Sequence, residues 1–185
     1  MEKLIDIGSS PVAALLELLL QDKSTKKNII WATDTYEKYG HGFSDKEQMD
    51  RNLLLQHADI IKPRIQKTWE AQAARTRKKA EVFTPAWLCN MMSNCCDENW
   101  FGRKNVFNKE SDDHTWTVVE EPVEFTKAQT WKHYVDLKRL EITCGEAPYL
   151  VSRYDVSTGE LIVPTKHRIG QLDRKLRIVN ENASD

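Results

Sequence analysis

The stretch "LKRLEITCGEAPYLVSRYD", Leu137 to Asp155, has the layout of a strand that runs into an acid, a tight turn with a glycine, and then a helix or loop. In α/β domains, ligands bind over such turns, at the carboxyl ends of the strands. Gly145 is the residue that lets backbone approach a ligand or adopt positive φ. A lone glycine can also simply end a strand, so this stretch needs a second one beside it. "EVFTPAWLCNMM", Glu81 to Met92, supplies a candidate: a Phe-Thr-Pro turn opening straight into an apolar, helix-like run, just after the basic "ARTRKKA".

Upstream of these motifs the pattern is mainly helical. "VAALLELLL", Val12 to Leu20, predicts a buried helix with Ser10 as N-cap and Pro11 in the first turn. Glu17 interrupts it, it is much too short to span a bilayer, and it lacks a basic leader with a small-residue cleavage site. Ser44 with Glu47 forms a capping box for a helix through "KEQMDRNLLLQHADII", interrupted at Pro63. A further helix is expected from Arg64 to Ala80. At about 100° per residue, Arg64, Lys67, Arg75 and Lys78 share one face, and Ile65, Trp69, Ala73 and Ala80 the other. From Lys62 to Lys79 seven basic residues stand against one acidic residue. Two readings of this face stay open: a solvated helix surface, or contact with the phosphate backbone of nucleic acid, from which clustered cations displace counterions.

With 40% hydrophobic and 30% charged residues, the 185-residue chain belongs with globular proteins of one domain or a domain with an appendage. Its four cysteines, Cys89, Cys95, Cys96 and Cys144, show no paired CxxC spacing, which argues for reduced thiols in a cytoplasm and against a zinc site. His114, His133 and His167 have neither metal spacing nor a nucleophile partner, and Ser152 and Ser157 lack a GxSxG elbow. Trp100, Trp116 and Trp131 offer faces on which bases can stack, with core or interface packing the default reading. "HTWTVVEEPVEF" predicts a short strand or two with Pro122 at an edge. Near the end, "ELIV" and "LRIV" are strand-like, with a helix between them.

Taken together, the motifs resemble the N6-adenine DNA methyltransferases. Their first cofactor motif usually reads Leu-Asp-Pro-x-Cys-Gly-x-Gly-x-Phe-Leu, and Leu140 to Leu150 match it in register. In that family a preceding Phe-Thr-Pro motif helps hold the methionine end of S-adenosylmethionine, and Phe83, Thr84 and Pro85 match it without a gap. "LLLQDKSTKKNIIWATDTY", "RTRKKAEVFTPAWLCNMM" and "RIGQLDRKLRIVNEN" extend the likeness over nearly the whole chain. They resemble the amino-terminal part of bacterial restriction-modification methyltransferases of the restriction endonuclease subunit M type.

The resemblance implies an α/β fold: a helical amino-terminal region over residues 1–80, then an incomplete Rossmann-like methyltransferase domain over 81–185. It implies S-adenosylmethionine bound by Phe83, Thr84, Pro85, Glu141, Cys144, Gly145, Glu146 and Ala147, and double-stranded DNA near Arg64, Lys67, Arg75 and Lys78. Glu141 stands where the family has Asp, Ile142 where it has Pro, and Ala147 where it has a second glycine. The family's Asn/Asp-Pro-Pro-Tyr/Phe motif, which orients and stacks the flipped adenine, has no counterpart, since the sequence contains no Pro-Pro. For the acid that holds the cofactor ribose, Glu160 and Asp173 are the nearby candidates. The expected chain is therefore a truncated or split cytoplasmic methyltransferase working with a separate catalytic half or a restriction subunit. The alternative is a non-catalytic module, derived from such an enzyme, that binds DNA or a partner.

Overall fold

The computed structural model describes residues 4–68, 73, 83–142 and 145–183. The chain divides into two compact units, Met1–Pro63 and Arg64–Asp185. The boundary expected between residues 80 and 81 lies outside the described residues.

In the first unit, helix α1 (Val12–Leu20) packs against α2 (Arg51–Gln56) over a core of Ile7, Leu16, Leu20, Trp31, Phe43, Leu54 and Ile60. Only Leu16 and Leu20 of α1 are buried; Leu15, Leu18 and Leu19 are exposed, so the helix is half covered, not the buried helix expected. It starts one residue later than expected. Pro11 is its cap, the Ser9 carbonyl accepts from Ala13 N at 2.9 Å, and Ser10 makes no side-chain cap. The Ser44–Glu47 capping box does not form either. Residues 47 to 49 are drawn into pairing with "IIW": Trp31 N donates to Glu47 O at 3.1 Å and Met49 N to Ile29 O at 2.8 Å. The helix begins only after that pairing ends, where Asp50 Oδ1 accepts from Asn52 N at 2.8 Å and Leu53 N at 3.0 Å.

The second unit is built on α3 (Ala86–Phe101), a hairpin of β1 (Asn108–Glu110) and β2 (Trp116–Val118), α4 (Trp131–Asp136) and α5 (Gln171–Asn182). Gly102 ends α3 in the left-handed conformation, at φ 67°. The hairpin is antiparallel, with Asn108 opposite Val118 and Glu110 opposite Trp116. The fold is thus a mixture of helices with one small antiparallel sheet. Among the described residues no further strand exists: "ELIV" contributes a single bridge between Tyr154 and Leu161, and Leu137 to Ile142 form no strand. "LRIV" lies inside α5, because Gln171, Arg174 and Ile178 recur at helical spacing and all three are buried on one face. No described helix is long and apolar enough to cross a membrane.

A buried polar network joins these elements. Asp97 on α3 is 1% exposed and takes Arg174 of α5 on Oδ2; on Oδ1 it takes Arg139 Nη2 at 2.6 Å and the Tyr134 hydroxyl at 2.8 Å. Arg174 also donates to Asn90 Oδ1 at 2.9 Å and to Ile169 O at 2.9 Å, and Asn90 exchanges paired amide hydrogen bonds with Asn108 of β1. Burial and the Asp97 charge push the Tyr134 hydroxyl pKa well up, so it stays a proton donor. Around this network Val106, Phe107, Val123, Tyr134 and Ile178 form an apolar core.

Candidate functional site

The second unit holds a cleft of about 830 Å³, within the size range of small-molecule sites. Phe83 and Thr84 line one part of it, and Leu140, Glu141, Ile142, Gly145 and Ala147 another. The two motifs, distant in sequence, thus share one cavity.

The Phe-Thr-Pro arm is fixed by the start of α3. Pro85 has the extended backbone of a helix cap, its carbonyl accepting from Leu88 N at 3.1 Å and Cys89 N at 3.2 Å. Pro85 does not itself line the cleft; it opens α3, whose Met92, Ser93 and Cys96 do. The cap has no oxygen of its own, and Asp155 supplies one from across the unit: its Oδ2 accepts from Ala86 N at 2.6 Å. The same carboxylate closes its own turn, taking Ser157 N at 2.7 Å, Ser157 Oγ at 2.5 Å and Thr158 N at 3.0 Å. Burial opposes ionisation of Asp155, but these hydrogen bonds outweigh it and hold its pKa below the ordinary value.

The glycine turn lies against this arm. Gly145 has φ +50°, and a Cβ there would sit 3.5 Å from the Phe83 ring. Ala147 also adopts a left-handed conformation, φ 52°, which favours glycine. Glu141 Oε2 accepts from Leu150 N at 3.1 Å, and burial moves its carboxyl pKa upward despite the backbone hydrogen bonds. Glu146 behaves differently from the expectation. Its Oε1 accepts from Arg64 N at 2.7 Å and its Oε2 from the Tyr154 hydroxyl at 2.5 Å, so it ties the turn to its surroundings and does not line the cleft. Cys144 lies outside the described residues.

The basic face is also altered. Arg64 to Gln66 form a single 3-10 turn, and the Arg64 guanidinium is half-buried over the Phe83 ring, 5.0 Å from its centroid. Arg64 therefore packs against the Phe-Thr-Pro arm. Lys67 N donates to Arg64 O at 2.9 Å, continuing that turn. Arg75 and Lys78 lie outside the described residues.

The lining is completed by Met92, Ser93 and Cys96 from α3, Arg139, Pro148, Tyr149, Leu150, and Gln171 at the start of α5. The Tyr149 hydroxyl donates to Met92 Sδ at 2.9 Å, and Gln171 N donates to Tyr149 O at 2.8 Å. Cys89 packs beneath, its thiol pKa pushed up to about 11 mainly by burial, so it is no nucleophile at neutral pH. Asp173 is engaged elsewhere, accepting from Ser152 N and Oγ at 3.3 Å, and neither it nor Glu160 lines the cleft. Among the described residues no three His, Cys, Asp or Glu side chains gather to hold a metal ion. His114 stacks on Trp87, and the backbone carbonyl of His167 accepts from Trp116 Nε1 at 2.9 Å.

Comparisons with family models, curated proteins and solved structures give no match to this chain.

Proposed function

We propose that the second unit binds S-adenosylmethionine in this cleft, as the cofactor-holding part of a cytoplasmic restriction-modification DNA adenine-N6 methyltransferase. The observation that carries the reading is the meeting of Phe83 and Thr84 with Glu141, Gly145 and Ala147 around one cavity. The donor set suits the group. Thr84, Ser93, Glu141 and Gln171 offer polar contacts among the apolar Phe83, Met92, Ile142 and Pro148. Gly145 puts no side chain against the Phe83 ring, and its positive φ turns the backbone tightly. When bound, the cofactor would supply an electrophilic methyl group. The residues of this chain would bind and orient it, and the missing Pro-Pro motif leaves nothing here to position an adenine amine. A Rossmann-like sheet would then be supplied by a separate catalytic half, with duplex DNA as the shared substrate.

Isothermal titration of the folded chain with S-adenosylmethionine should give saturable heat, lost in Gly145→Val, where a β-branched side chain meets Phe83 in a left-handed turn. Thr84→Ala, which leaves the turn intact, should weaken it. No heat with folded wild type would overturn the proposal. The chain alone should transfer no radiolabelled methyl group to adenine, because cofactor binding without oriented substrate lacks transition-state stabilisation. A second reading, a non-catalytic module that docks on a partner or DNA, draws support from the exposed apolar side chains of Leu140, Ile142, Leu150 and Val151. Transfer to DNA upon mixing with a chain carrying Asn-Pro-Pro-Tyr separates the two.

A further inference from the structure

The second unit holds another cavity, of about 500 Å³, which shares no lining residue with the motif cleft. Asp173, Leu176, Arg177 and Asn180 recur at helical spacing and bring one face of α5 to it. Trp116 and Val118 come from β2, and Lys166 from the 3-10 turn Thr165–His167. That turn is fixed on both sides. Arg168 N donates to Thr165 O at 3.0 Å, and the His167 carbonyl takes the Trp116 indole N–H at 2.9 Å.

The charges that line this cavity are unevenly matched. Glu181 accepts from Arg177 Nε at 2.6 Å and from Val123 N at 2.9 Å, and Asp173 accepts from Ser152. Arg174 is matched by Asp97. Arg168 has no such match: it is half-buried, and its side chain makes no hydrogen bond or ion pair among the described residues. Lys166 Nζ meets Glu120 at 2.5 Å, but the two side chains are 49% and 66% exposed. Pairs so exposed contribute little, so Lys166 can exchange Glu120 for another anion at small cost.

We propose that this cavity binds a phosphate monoester, with Lys166 and Arg168 as the cations that hold the phosphoryl group. Such a group carries about 1.5 to 2 negative charges near pH 7 and three acceptor oxygens. A guanidinium and an exposed ammonium from one turn answer both the charge and the acceptors. Trp116, Val118 and Leu176 supply apolar wall for an organic part, and the volume is that of a small-molecule site. The phosphoryl chemistry is shared by free phosphate and by an organic monoester. Neither depends on the cofactor reading of the other cleft.

The test is calorimetric titration of the full chain with thymidine 5′-monophosphate, inorganic phosphate and thymidine. The monophosphate should bind with an affinity that falls as salt rises, and thymidine should not bind. Lys166→Gln and Arg168→Gln should each weaken binding on the order of tenfold, the loss expected when a charged hydrogen bond is removed. Lys104→Gln, at an exposed position outside the cavity lining, should bind as wild type does. Inorganic phosphate as tight as the monophosphate assigns the site to free phosphate; a tighter monophosphate assigns it to an organic monoester. No binding of either phosphate by folded wild type overturns the inference. So does wild-type affinity in Lys166→Gln, whose exposed side chain makes it the variant that keeps its fold should Arg168→Gln lose it. An equal loss in Lys104→Gln also overturns it, as an effect of overall charge.

Discussion

Arg139 and Leu140 are neighbours in the chain, both exposed at the cleft, but their side chains find different partners. Arg139 reaches inward to Asp97, which is 1% exposed, while Leu140 is 83% exposed and Ile142 73% at the edge of the cleft. The interior of the second unit is closed by charge-assisted hydrogen bonds; its cleft edge presents apolar side chains to solvent. A large side chain left at such exposure adds little to this unit's own stability. The contrast therefore separates residues that hold the unit together from residues available to a ligand or a partner.

The sharpest way to break that contrast is at its buried end. Asp97→Ala leaves Arg174, itself 2% exposed, with an uncompensated buried charge and frees Arg139 as well. Removing one partner of a buried pair typically costs about 3–5 kcal/mol. The urea midpoint of the variant should drop accordingly, and ligand binding should weaken with it, since Arg139 anchors the segment that leads into Leu140 and Glu141. An unchanged midpoint would mean the network is dispensable.

Asp155 comes next. Its carboxylate takes four hydrogen bonds, among them the one to Ala86 N at the start of α3. Asp155→Ala should cost about 2 kcal/mol, the upper end of a helix-cap loss. The folded-state pKa lies below the unfolded value, so this stabilisation is present above the ordinary aspartate range and is lost as pH falls through the depressed pKa. Stability curves of wild type and Asp155→Asn should therefore converge at strongly acidic pH. Curves that stay parallel would place the effect in packing instead.

The two cofactor-like stretches were readable because each is local: Phe-Thr-Pro sets a cap, and Gly145 to Ala147 set a turn. That they share a cleft is a tertiary fact, expected in the sequence only through the family resemblance. What stayed hidden depends on partners far along the chain. Nothing near Gln171 or Asp155 marks the one as a cleft residue or the other as the cap of a helix sixty-nine positions away. The strand expected at Leu137 to Glu141 is absent because a strand needs a neighbour, and the described residues offer it none, while Asp97 pulls Arg139 inward. "LRIV" read as a strand because β-branched residues favour sheets, yet burial of Ile178 beside Arg174 sets a helical period. Ser44 lost its capping role to Asp50 once residues 47 to 49 were taken up in pairing with residues 29 to 31.

Ala147 sits between the two regimes. At φ 52° it carries backbone strain of about 1 kcal/mol that glycine would not, partly offset by glycine's greater freedom when unfolded. Ala147→Gly should raise stability by about 0.5 kcal/mol and should tighten cofactor binding, by removing a methyl group from the cleft wall. A lower melting temperature would show that the alanine side chain packs productively.

The smallest effect is expected at the exposed end of the contrast. Leu140 is 83% exposed, so Leu140→Ser removes little buried apolar area and should change stability by no more than about 0.5 kcal/mol in either direction. Because the residue lines the cleft, the same change should be visible in ligand affinity, through the loss of an apolar contact, even though unfolding hardly registers it. Chemical denaturation and titration on one preparation give both numbers. A drop in stability comparable to that of Asp97→Ala would mean that Leu140 is covered in the folded chain in solution, and the division between a closed interior and an available edge would collapse. No change in either quantity would leave Leu140 to a partner polypeptide, and a matched titration with such a partner would then be the measurement in which the serine matters.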